Sequence, residues 1–409
     1  MSANSPQSID VVIIGAGPAG LMAAEVLASK GINVEIFDAM PTAGRKFLMA
    51  GKSGLNISHN EELSKFITKF GDKQQRLTPA LTEFNAQHVV DLMTSLGIEN
   101  FVGSSGRIFP KVMKTAPLLR NWLARLGKRG AKLHTRHKWM GWDDNGALQF
   151  KVDDKTIKIM AKATVLALGG ASWPKLGSDG AWVDILRQKS IKVNVLKPAN
   201  CGFDVDWSEH FLLSSEGKPV ANVLLGFEGN VVKGSFIITK HGLEGGSIYT
   251  QSAHLRDAID NSGSAILTID LTPDLSQDTL AKALARPKGH KSMSNHIRRT
   301  TGITGVKAQL LRECLPKETF SDPEKLANGI KALPIKLERP RPLAEAISSA
   351  GGISFDELDD AFMIKSLDNT YCAGEMLDWE APTGGYLITA SMATGAMAGR
   401  AIAERVFKL

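Results

Sequence analysis

The sequence predicts an α/β fold, and three patterns carry that prediction. An apolar, β-branched run at 9–14 is followed by a glycine-rich segment at 15–20 and a helix-forming run at 21–30, the order of a strand, a tight turn and a helix. Between about 190 and 271, short alternating strands separated by glycine turns predict an inserted β-barrel or sandwich. Helical patterning over about 278–330 predicts a small helical region after it. With 43% of 409 residues hydrophobic, the chain can form large cores.

The glycine-rich segment has the spacing of a phosphate-binding turn. Its members are Gly15, Ala16, Gly17, Pro18, Ala19 and Gly20. The first glycine permits the turn, the second lets the backbone approach a pyrophosphate, and the third lets the helix lie close to the sheet. The helix N–H groups would face the phosphates. We expect Glu25, further along this helix, to face solvent.

A second strand at 34–38 ends in Asp38, 23 positions after Gly15. A carboxylate at about this spacing meets an adenosine ribose, whereas a 2′-phosphate would favour an arginine there. This context predicts a dinucleotide site rather than a structural glycine turn. The basic pair Arg45 and Lys46 and the loop 50–56 suit a second anionic stretch of the same ligand, with a flexible surface loop as the alternative.

Three later segments complete the expected site. A helix is predicted at 115–126, a strand at 131–142, and a buried strand from 163 that ends at Gly169 and Gly170, where a ligand or another backbone can come close. Prolines at 334–342 indicate a linker back to the first domain.

The C-terminal part offers acceptors and donors for a second half of the ligand. A strand at 369–373 leads into Gly374 and Glu375, and Gly384, Gly385 and Tyr386 open a final helix. The carboxylate suits ribityl hydroxyls, and the helix N–H groups suit a carbonyl-bearing ring. A long two-part ligand such as FAD therefore explains more than NAD does. No second strand, glycine turn and helix unit is recognisable; 242–246 has glycines without that context.

These motifs resemble the FAD-dependent oxidoreductases of the BaiN-like and aminoacetone-oxidase-like group. The resemblance covers nearly the whole chain, through the segments 15–20, 43–56, 167–180, 238–246 and 373–386. It implies a glutathione-reductase-type FAD-binding Rossmann domain built from both chain ends, with an inserted β-barrel and a small helical region. The expected boundaries are 1–190 and 343–409 for the FAD domain, 191–275 for the barrel and 276–342 for the helical region.

The resemblance also implies which residues bind FAD. Asp38 would hold the adenosine ribose, Trp139 would offer its backbone to the adenine, Glu375 would hold the ribityl chain, and Tyr386 would approach the flavin ring. Arg45 and Lys46 would lie beside the adenosine and phosphate part. The full expected set is Gly15, Ala16, Gly17, Pro18, Ala19, Gly20, Asp38, Ala39, Gly44, Arg45, Lys46, Gly54, Leu55, Asn56, Trp139, Gly169, Gly170, Gly374, Glu375, Gly384, Gly385 and Tyr386.

One departure separates this chain from many relatives. They have an Arg-Cys-Asn run where this chain has Gly54, Leu55 and Asn56. Chemistry that depends on that arginine or cysteine therefore does not carry over by position.

The predicted function is that of an FAD-dependent oxidoreductase. It would act on a small organic substrate, entering between the FAD domain and the barrel, with transiently bound NAD(P)H or oxygen as redox partner and ping-pong kinetics. The well-separated Cys201, Cys314 and Cys372 form neither a CxxC pair nor a metal-type cluster. His241, glycine-flanked in the barrel segment, is the candidate catalytic group; a surface histidine in a turn is the alternative.

Charge and composition leave two other functions open. The net charge of +7 is concentrated in basic runs at 111–138 and 286–312, which keep flavin-dependent RNA modification as an alternative to solvated faces. A non-catalytic flavin-binding protein is the other. Residues 1–8 are polar without a positive region and the apolar run 11–24 is interrupted by Gly-Pro, so we expect no signal peptide, no membrane partner and a cytoplasmic location. The oligomeric state is left open.

Overall fold

The chain divides into two compact units. Residues up to Lys197 together with Ile347–Leu409 form the first, and Pro198–Ala346 form the second. The computed structural model describes residues 7–52 and 54–409. Residues 1–6, part of the polar segment behind the signal-peptide prediction, and Ser53 of the second glycine-rich loop lie outside the described residues.

The first unit is built on a seven-stranded sheet. Its strands in order are Lys132–His134, Val34–Phe37, Gln7–Ile14, Lys155–Leu166, Leu148–Val152 and Lys138–Trp142, and Thr370–Cys372 also pairs with Lys155–Leu166. The first four strands and the Thr370–Cys372 strand pair in parallel, and the remaining pairings form an antiparallel meander. The parallel strands therefore bring the segments after residues 14, 37, 166 and 372 to one edge.

The predicted single strand at 131–142 is wrong. Lys132–His134 runs parallel to Val34–Phe37, whereas Lys138–Trp142 runs antiparallel to Leu148–Val152. Between them Arg136 adopts a left-handed conformation with φ 59°, which a continuous strand cannot contain. Composition alone does not show this break, because arginine rarely adopts that conformation.

Two long helices cross close together beside this sheet. The first helix, Pro18–Ser29, begins three residues earlier than predicted because proline fits a first helical position. The last helix, Tyr386–Arg405, lies against it. A Cβ on Gly395 would lie 2.1 Å from the Ala19 carbonyl oxygen, so only glycine permits this approach. No helix in the described part of the chain is both long and apolar enough to cross a membrane.

Glu25 on the first helix does not face solvent as expected. Its carboxylate lies 2.9 Å from Arg125 and 2.6 Å from Arg129, and it accepts a hydrogen bond from the Trp122 indole at 3.1 Å. The carboxylate therefore joins the first helix to the helix Thr115–Lys128.

The remaining elements of the first unit surround the sheet. Small sheets pair Ser58–His59 and Asn100–Val102 with Arg107–Pro110, and Val193–Ala199 with Ser348–Ile353. The other α-helices are Arg45–Ala50, Leu63–Ile67, Gln74–Glu83, Ala86–Ser95, Thr115–Lys128 and Trp182–Gln188. Short 3-10 helices span Thr68–Lys73, Pro174–Leu176, Phe355–Glu357 and Gly374–Met376.

The second unit contains a seven-stranded antiparallel sheet. Its order is Leu333–Leu337, Ala265–Asp270, Pro219–Phe227, Asn230–Thr239, Gly242–Glu244, Phe203–Asp204 and Arg339–Pro340. Only Glu338 separates the two edge strands along the chain, so the Cα atoms of Leu337 and Arg339 lie within about 7 Å of each other. Leu333–Leu337 pairs with one end of the strand order and Arg339–Pro340 with the other, so the sheet curls into a barrel. Pro334 and Pro340 lie in these edge strands rather than in the predicted linker. An edge strand tolerates proline because its missing N–H need not pair with a neighbouring strand.

The helices of the second unit share one core with its sheet. They are Glu209–Ser215, Gly246–Thr250, Ser252–Ser262, Gln277–Leu284, Met293–Thr301, Gly305–Cys314 and Pro323–Lys331, with 3-10 helices at Lys317–Ser321 and Leu343–Glu345. Leu280, Leu310 and Leu326 are buried in the same cluster as Leu225 and Leu267 of the strands. The helical segment is therefore part of the barrel unit.

Candidate functional site

The glycine turn lies at the carboxyl edge of the parallel strands. Gly15 has φ 105°, and a Cβ there would lie 2.2 Å from the Ala167 carbonyl oxygen; a Cβ on Gly20 would lie 2.0 Å from the Gly15 oxygen. Gly17 differs, because its φ is −85° and a Cβ there would meet no atom within 4 Å. Neither the backbone nor the described neighbours of Gly17 require glycine. Open space at a helix start is what an approaching pyrophosphate needs.

Asp38 joins the second strand to this turn. Its carboxylate accepts one hydrogen bond from the Ala16 N–H and one from the Met40 N–H, both at 2.8 Å. Burial raises the pKa of Asp38 above its ordinary value, against the opposing effects of these two bonds and of Arg45. Ala39 beside it is exposed. Each carboxylate oxygen keeps a further lone pair, which can accept a hydroxyl from a ribose.

A polar network connects the middle of the chain to its C-terminal segment. Lys46 Nζ lies 2.6 Å and 2.9 Å from the two carboxylate oxygens of Glu375 and donates to Ser172 Oγ at 2.7 Å. The same carboxylate accepts from the N–H groups of Gly170 at 3.3 Å and Ser349 at 2.9 Å. The structure thus pairs Lys46 with Glu375, although the resemblance assigned Lys46 to the adenosine and phosphate part of FAD and Glu375 to the ribityl chain. Sequence reasoning did not single out Ser172, although it lies in the segment 167–180, or Ser349, which lies outside the segments that carry the resemblance.

The two glycines after the central strand leave room for serine side chains. A Cβ on Gly170 would lie 2.3 Å from Ser349 Oγ, and one on Gly169 would lie 3.3 Å from Ser178 Oγ. Ser178 is 4% exposed, and its hydroxyl has no hydrogen-bond partner among the described residues. An unpartnered buried hydroxyl is unfavourable without a ligand or water. Ser178 is therefore a candidate contact that the sequence did not single out.

The loop 54–56 presents another unpartnered acceptor. Gly54 has φ 123°, and the Leu55 N–H bonds to the Met113 carbonyl at 3.1 Å, which fixes a fully buried Leu55. Asn56 Oδ1 is buried with no hydrogen-bond partner in the described part of the chain. Buried amide oxygens are normally paired, so Asn56 is oriented as if for a ligand.

The last helix begins tightly against the Ser58–His59 strand. Gly385 has φ 93°, and a Cβ there would lie 2.5 Å from the Ser58 backbone nitrogen. The Tyr386 hydroxyl donates to Glu61 at 2.7 Å, and its ring stacks on His59 with the centroids 5.5 Å apart. Burial and the hydrogen bond to Glu61 raise the pKa of Tyr386. The hydroxyl is thus engaged with protein, while the N–H groups of the first helical turn have no intrahelical partners.

Other expected residues fix the backbone around these groups. Gly44 has φ 64° and begins the Arg45–Ala50 helix, and a Cβ on it would lie 2.9 Å from Leu119. Gly374 donates its N–H to Thr394 at 2.9 Å, and a Cβ there would lie 2.9 Å from the Ala19 Cβ. Gly384 has φ 142°. These positions bring the first, middle and last segments of the first unit together.

Two further expected residues lie in other elements of the structure. Trp139 lies in the meander, 5% exposed, in edge-to-face contact with Trp142, and its indole nitrogen has no partner among the described residues. His241 is exposed in a tight turn of the second unit, between Asn230–Thr239 and Gly242–Glu244. No described residue hydrogen-bonds to its imidazole, so its catalytic role stays a prediction.

Thiols and metal ligands are not assembled in the described structure. All three cysteines are outside disulfides, and burial raises the pKa of Cys314 to about 12, with Glu313 adding to the effect. Burial also raises the pKa of Cys372. Among the described residues no group of three or more His, Cys, Asp or Glu side chains could hold a metal ion.

Comparison with known proteins decides the family. The model described as the HI0933-like protein Rossmann domain matches residues 9–401. The chain belongs to the HI0933-like family. This confirms the resemblance read from the motifs. The HI0933-like chain is a flavin-dependent oxidoreductase whose cofactor is FAD.

Two curated relatives match the HI0933-like chain over nearly its full length. It is 24% identical over 415 residues to the 3-dehydro-bile acid delta(4,6)-reductase of Clostridium scindens, covering 96% of this chain and 98% of the relative. It is 23% identical over 394 residues to the ribosomal RNA dihydrouridine synthase of Escherichia coli, covering 93% of this chain and 94% of the relative.

A solved structure supports the fold. The 3-ketosteroid-delta4-(5alpha)-dehydrogenase from Rhodococcus jostii RHA1 aligns with a TM-score of 0.52 and 13% identity, over 98% of this chain and 97% of that chain. At this identity the likeness concerns the fold alone. It agrees with the predicted FAD-binding Rossmann architecture.

Proposed function

We propose that this chain reduces a carbon–carbon double bond conjugated to a carbonyl group, on a small organic substrate, with NAD(P)H as the electron donor. The bound flavin supplies hydride transfer, and the protein supplies position, electrostatics and exclusion of water. The two curated relatives support the reaction type, since one is named for reducing delta(4,6) bonds of a 3-dehydro-bile acid and the other for making dihydrouridine. Both names describe saturation of a double bond conjugated to a carbonyl.

The observation that carries the proposal is a set of unpartnered polar groups and open space in the first unit. Gly17 leaves open space at a helix start, and the oxygens of Ser178 and Asn56 are buried without partners in the described structure. We place the pyrophosphate at Gly17, the ribose at Asp38 and the flavin ring near Asn56. These groups fit a long polar cofactor, because each supplies either open space or a hydrogen-bonding atom that no described residue occupies.

The Lys46–Glu375 pair would orient the cofactor rather than react with it. Glu375 already accepts from Lys46, Gly170 and Ser349, so its carboxylate holds the surrounding backbone in place. The N–H groups that follow Gly385 would donate to a carbonyl of the ring, because a helix N-terminus stabilises negative charge.

Electron delivery is proposed to share the substrate cleft. No second nucleotide-binding turn is recognisable in the sequence, so NAD(P)H and the substrate would occupy one site in succession. The resulting kinetics are ping-pong, with parallel lines in a double-reciprocal plot. Oxygen as the electron acceptor, with the substrate as the reductant, is the alternative route.

The test is to mix FAD-loaded protein anaerobically with NADH or NADPH and then add a 4-en-3-one steroid. Bleaching of the oxidised-flavin bands by the nicotinamide and their return on adding the enone are expected. An enone that does not reoxidise the flavin, or intersecting kinetic lines, would contradict the proposal. A saturated 3-oxo steroid is the matched control, because it lacks only the double bond.

RNA modification is the second candidate function. In the first unit several basic residues of the 111–138 run are paired, including Arg125 and Arg129 with Glu25, and Lys132 with Glu35. In the second unit Arg286, Lys288, Lys291, Arg298 and Arg299 are exposed. This second cluster favours an RNA backbone. A uridine-containing oligoribonucleotide that reoxidises the flavin faster than the steroid would favour RNA as the substrate, and silence with every acceptor would favour a non-catalytic flavoprotein.

A further inference from the structure

A basic cavity of about 540 Å³ opens on the first unit. It lies between the short helix Arg45–Ala50 and the start of Thr115–Lys128, and we call it the Thr115 pocket. Arg45, Lys52 and Lys114 line it, and none of its described lining residues is acidic. A lining of one charge sign raises the local concentration of anions.

A helix start points into the pocket without a cap. Lys114 occupies the N-cap position of a 14-residue helix, and no side chain caps it. The N–H groups of Thr115 and Ala116 therefore lack helical partners, and Pro117 has no N–H. The positive end of the helix dipole adds to the field of the lysines.

An independent observation at the same place points to a ligand. Thr115 is 2% exposed, and its Oγ1 has no hydrogen-bond partner among the described residues. A buried hydroxyl is normally paired. Gly51 allows this arrangement, since a Cβ there would lie 2.2 Å from Thr115 Oγ1. Lys114 Nζ donates to the Lys52 carbonyl at 3.2 Å, and Lys52, Lys114, Thr115 and Ala116 line the same pocket.

We propose that the Thr115 pocket binds a phosphate group of a ligand other than the flavin. The ammonium groups of Lys52 and Lys114, the Thr115 hydroxyl and the two free N–H groups match the several acceptor oxygens of a phosphate. The flavin pyrophosphate has its own helix start at Gly17, and Lys46 on the short helix is directed to Glu375 instead. The pocket does not depend on which double bond the flavin reduces, so it goes beyond the proposed function.

Calorimetric titration of the FAD-saturated protein with inorganic phosphate tests the site. Lys52→Gln and Thr115→Val should each weaken phosphate binding by about tenfold or more, because each removes a direct donor. Lys128→Gln, at the far end of the same helix, removes the same charge and should leave binding unchanged. Thr115→Val keeps the side-chain shape, so a well-folded variant is expected, and FAD content gives the readout of folding.

Competition identifies where the phosphate comes from. Displacement of inorganic phosphate by NADP⁺ but not by NAD⁺ assigns the pocket to a 2′-phosphate, and displacement by an oligoribonucleotide assigns it to an RNA backbone. Either result supports the site. Failure of the FAD-saturated protein to bind phosphate, equal loss in Lys128→Gln, or binding only by the FAD-free protein would overturn the proposal. The last result would mean that the pocket belongs to the flavin. None of these outcomes depends on enone reduction.

Discussion

Lys46 Nζ lies 2.6 Å from Glu375 Oε2, which joins residues 329 positions apart in the sequence. The two side chains are 26% and 12% exposed, so the pair is shielded from much of the solvent. Ser172 accepts a further hydrogen bond from the same ammonium group at 2.7 Å. The C-terminal segment is thereby tied to the short helix Arg45–Ala50.

The first prediction concerns the strength of this pair. Lys46→Met and Glu375→Gln should each destabilise the FAD-free protein, and a double-mutant cycle should show coupling of about 1–3 kcal/mol because either single change leaves a shielded charge without its opposite charge. Urea unfolding measures it. Lys111 and Glu99 form a matched control pair with 61% and 74% exposure, for which no measurable coupling is expected. Equal coupling energies in both pairs would show that shielding from solvent does not strengthen the Lys46–Glu375 pair.

The second prediction concerns ribose recognition. Asp38→Ala should weaken FAD binding about ten- to a hundredfold, because hydrogen bonds to a charged acceptor contribute on the order of 1.5–3 kcal/mol. Fluorescence titration of FAD-free protein measures this. Glu25 is unsuitable as a control because it binds two arginines. Asp154, exposed in the turn between two meander strands, is the better choice, and equal affinity of the two variants would show that the ribose is misplaced.

The third prediction follows from the raised pKa of Asp38, which burial causes. A carboxyl with a higher pKa in the folded than in the unfolded state binds its proton more tightly when folded. Its contribution to stability is fully present below the unfolded pKa and is lost as pH rises through the folded pKa. The free energy of unfolding of the FAD-free protein should therefore fall relative to Asp38→Ala as pH rises from about 4. The opposite slope would contradict the burial argument.

The fourth prediction concerns the three tyrosines of the chain. Burial raises the pKa of Tyr249, Tyr371 and Tyr386, with nearby carboxylates adding to the effect. Native protein should show less tyrosinate absorbance near pH 10, the ordinary pKa, than the unfolded chain does, and the signal should rise together with alkaline unfolding. Because the tyrosines have higher pKa values in the folded than in the unfolded state, the unfolded chain loses these protons at lower pH. The free energy of unfolding therefore falls as pH rises. A native-state step near pH 10 would contradict this, and Tyr249→Phe should lower the final amplitude by a third.

The fifth prediction concerns the thiols. Cys201 and Cys372 are buried, and burial raises the pKa of Cys314 to about 12, so little thiolate forms at neutral pH. A thiol reagent should react slowly with native protein and fully after denaturation. Replacement of all three cysteines by alanine should leave FAD loading and turnover intact. A folded, flavin-loaded triple variant that cannot be reoxidised would place a thiol in the cycle.

Much of the FAD unit could be predicted because local patterns carry it. The glycines at 15, 17 and 20 follow an apolar strand directly, and the acid at 38 ends the next strand. Backbone conformation explains the misplaced strand at 131–142, since the left-handed Arg136 interrupts it. Short strands between about 190 and 271 were predicted from alternation, but the strand roles of Pro334 and Pro340 were not. A strand tolerates proline at the edge of a sheet, and which strands form the edges is decided only when the sheet assembles.

The sequence by itself determined the family, the cofactor and the α/β class, because glycine spacing, strand periodicity and helix starts are set by neighbours along the chain. Only the tertiary structure decided which side chains meet. Lys46 and Glu375, Asp38 and the Ala16 N–H, and Tyr386 and Glu61 are joined by polar contacts between different segments of the chain. It also decided that Ser178, Asn56 and Thr115 are buried without partners among the described residues. Burial and orphaned hydrogen-bonding groups depend on long-range packing, which no short pattern in the chain encodes.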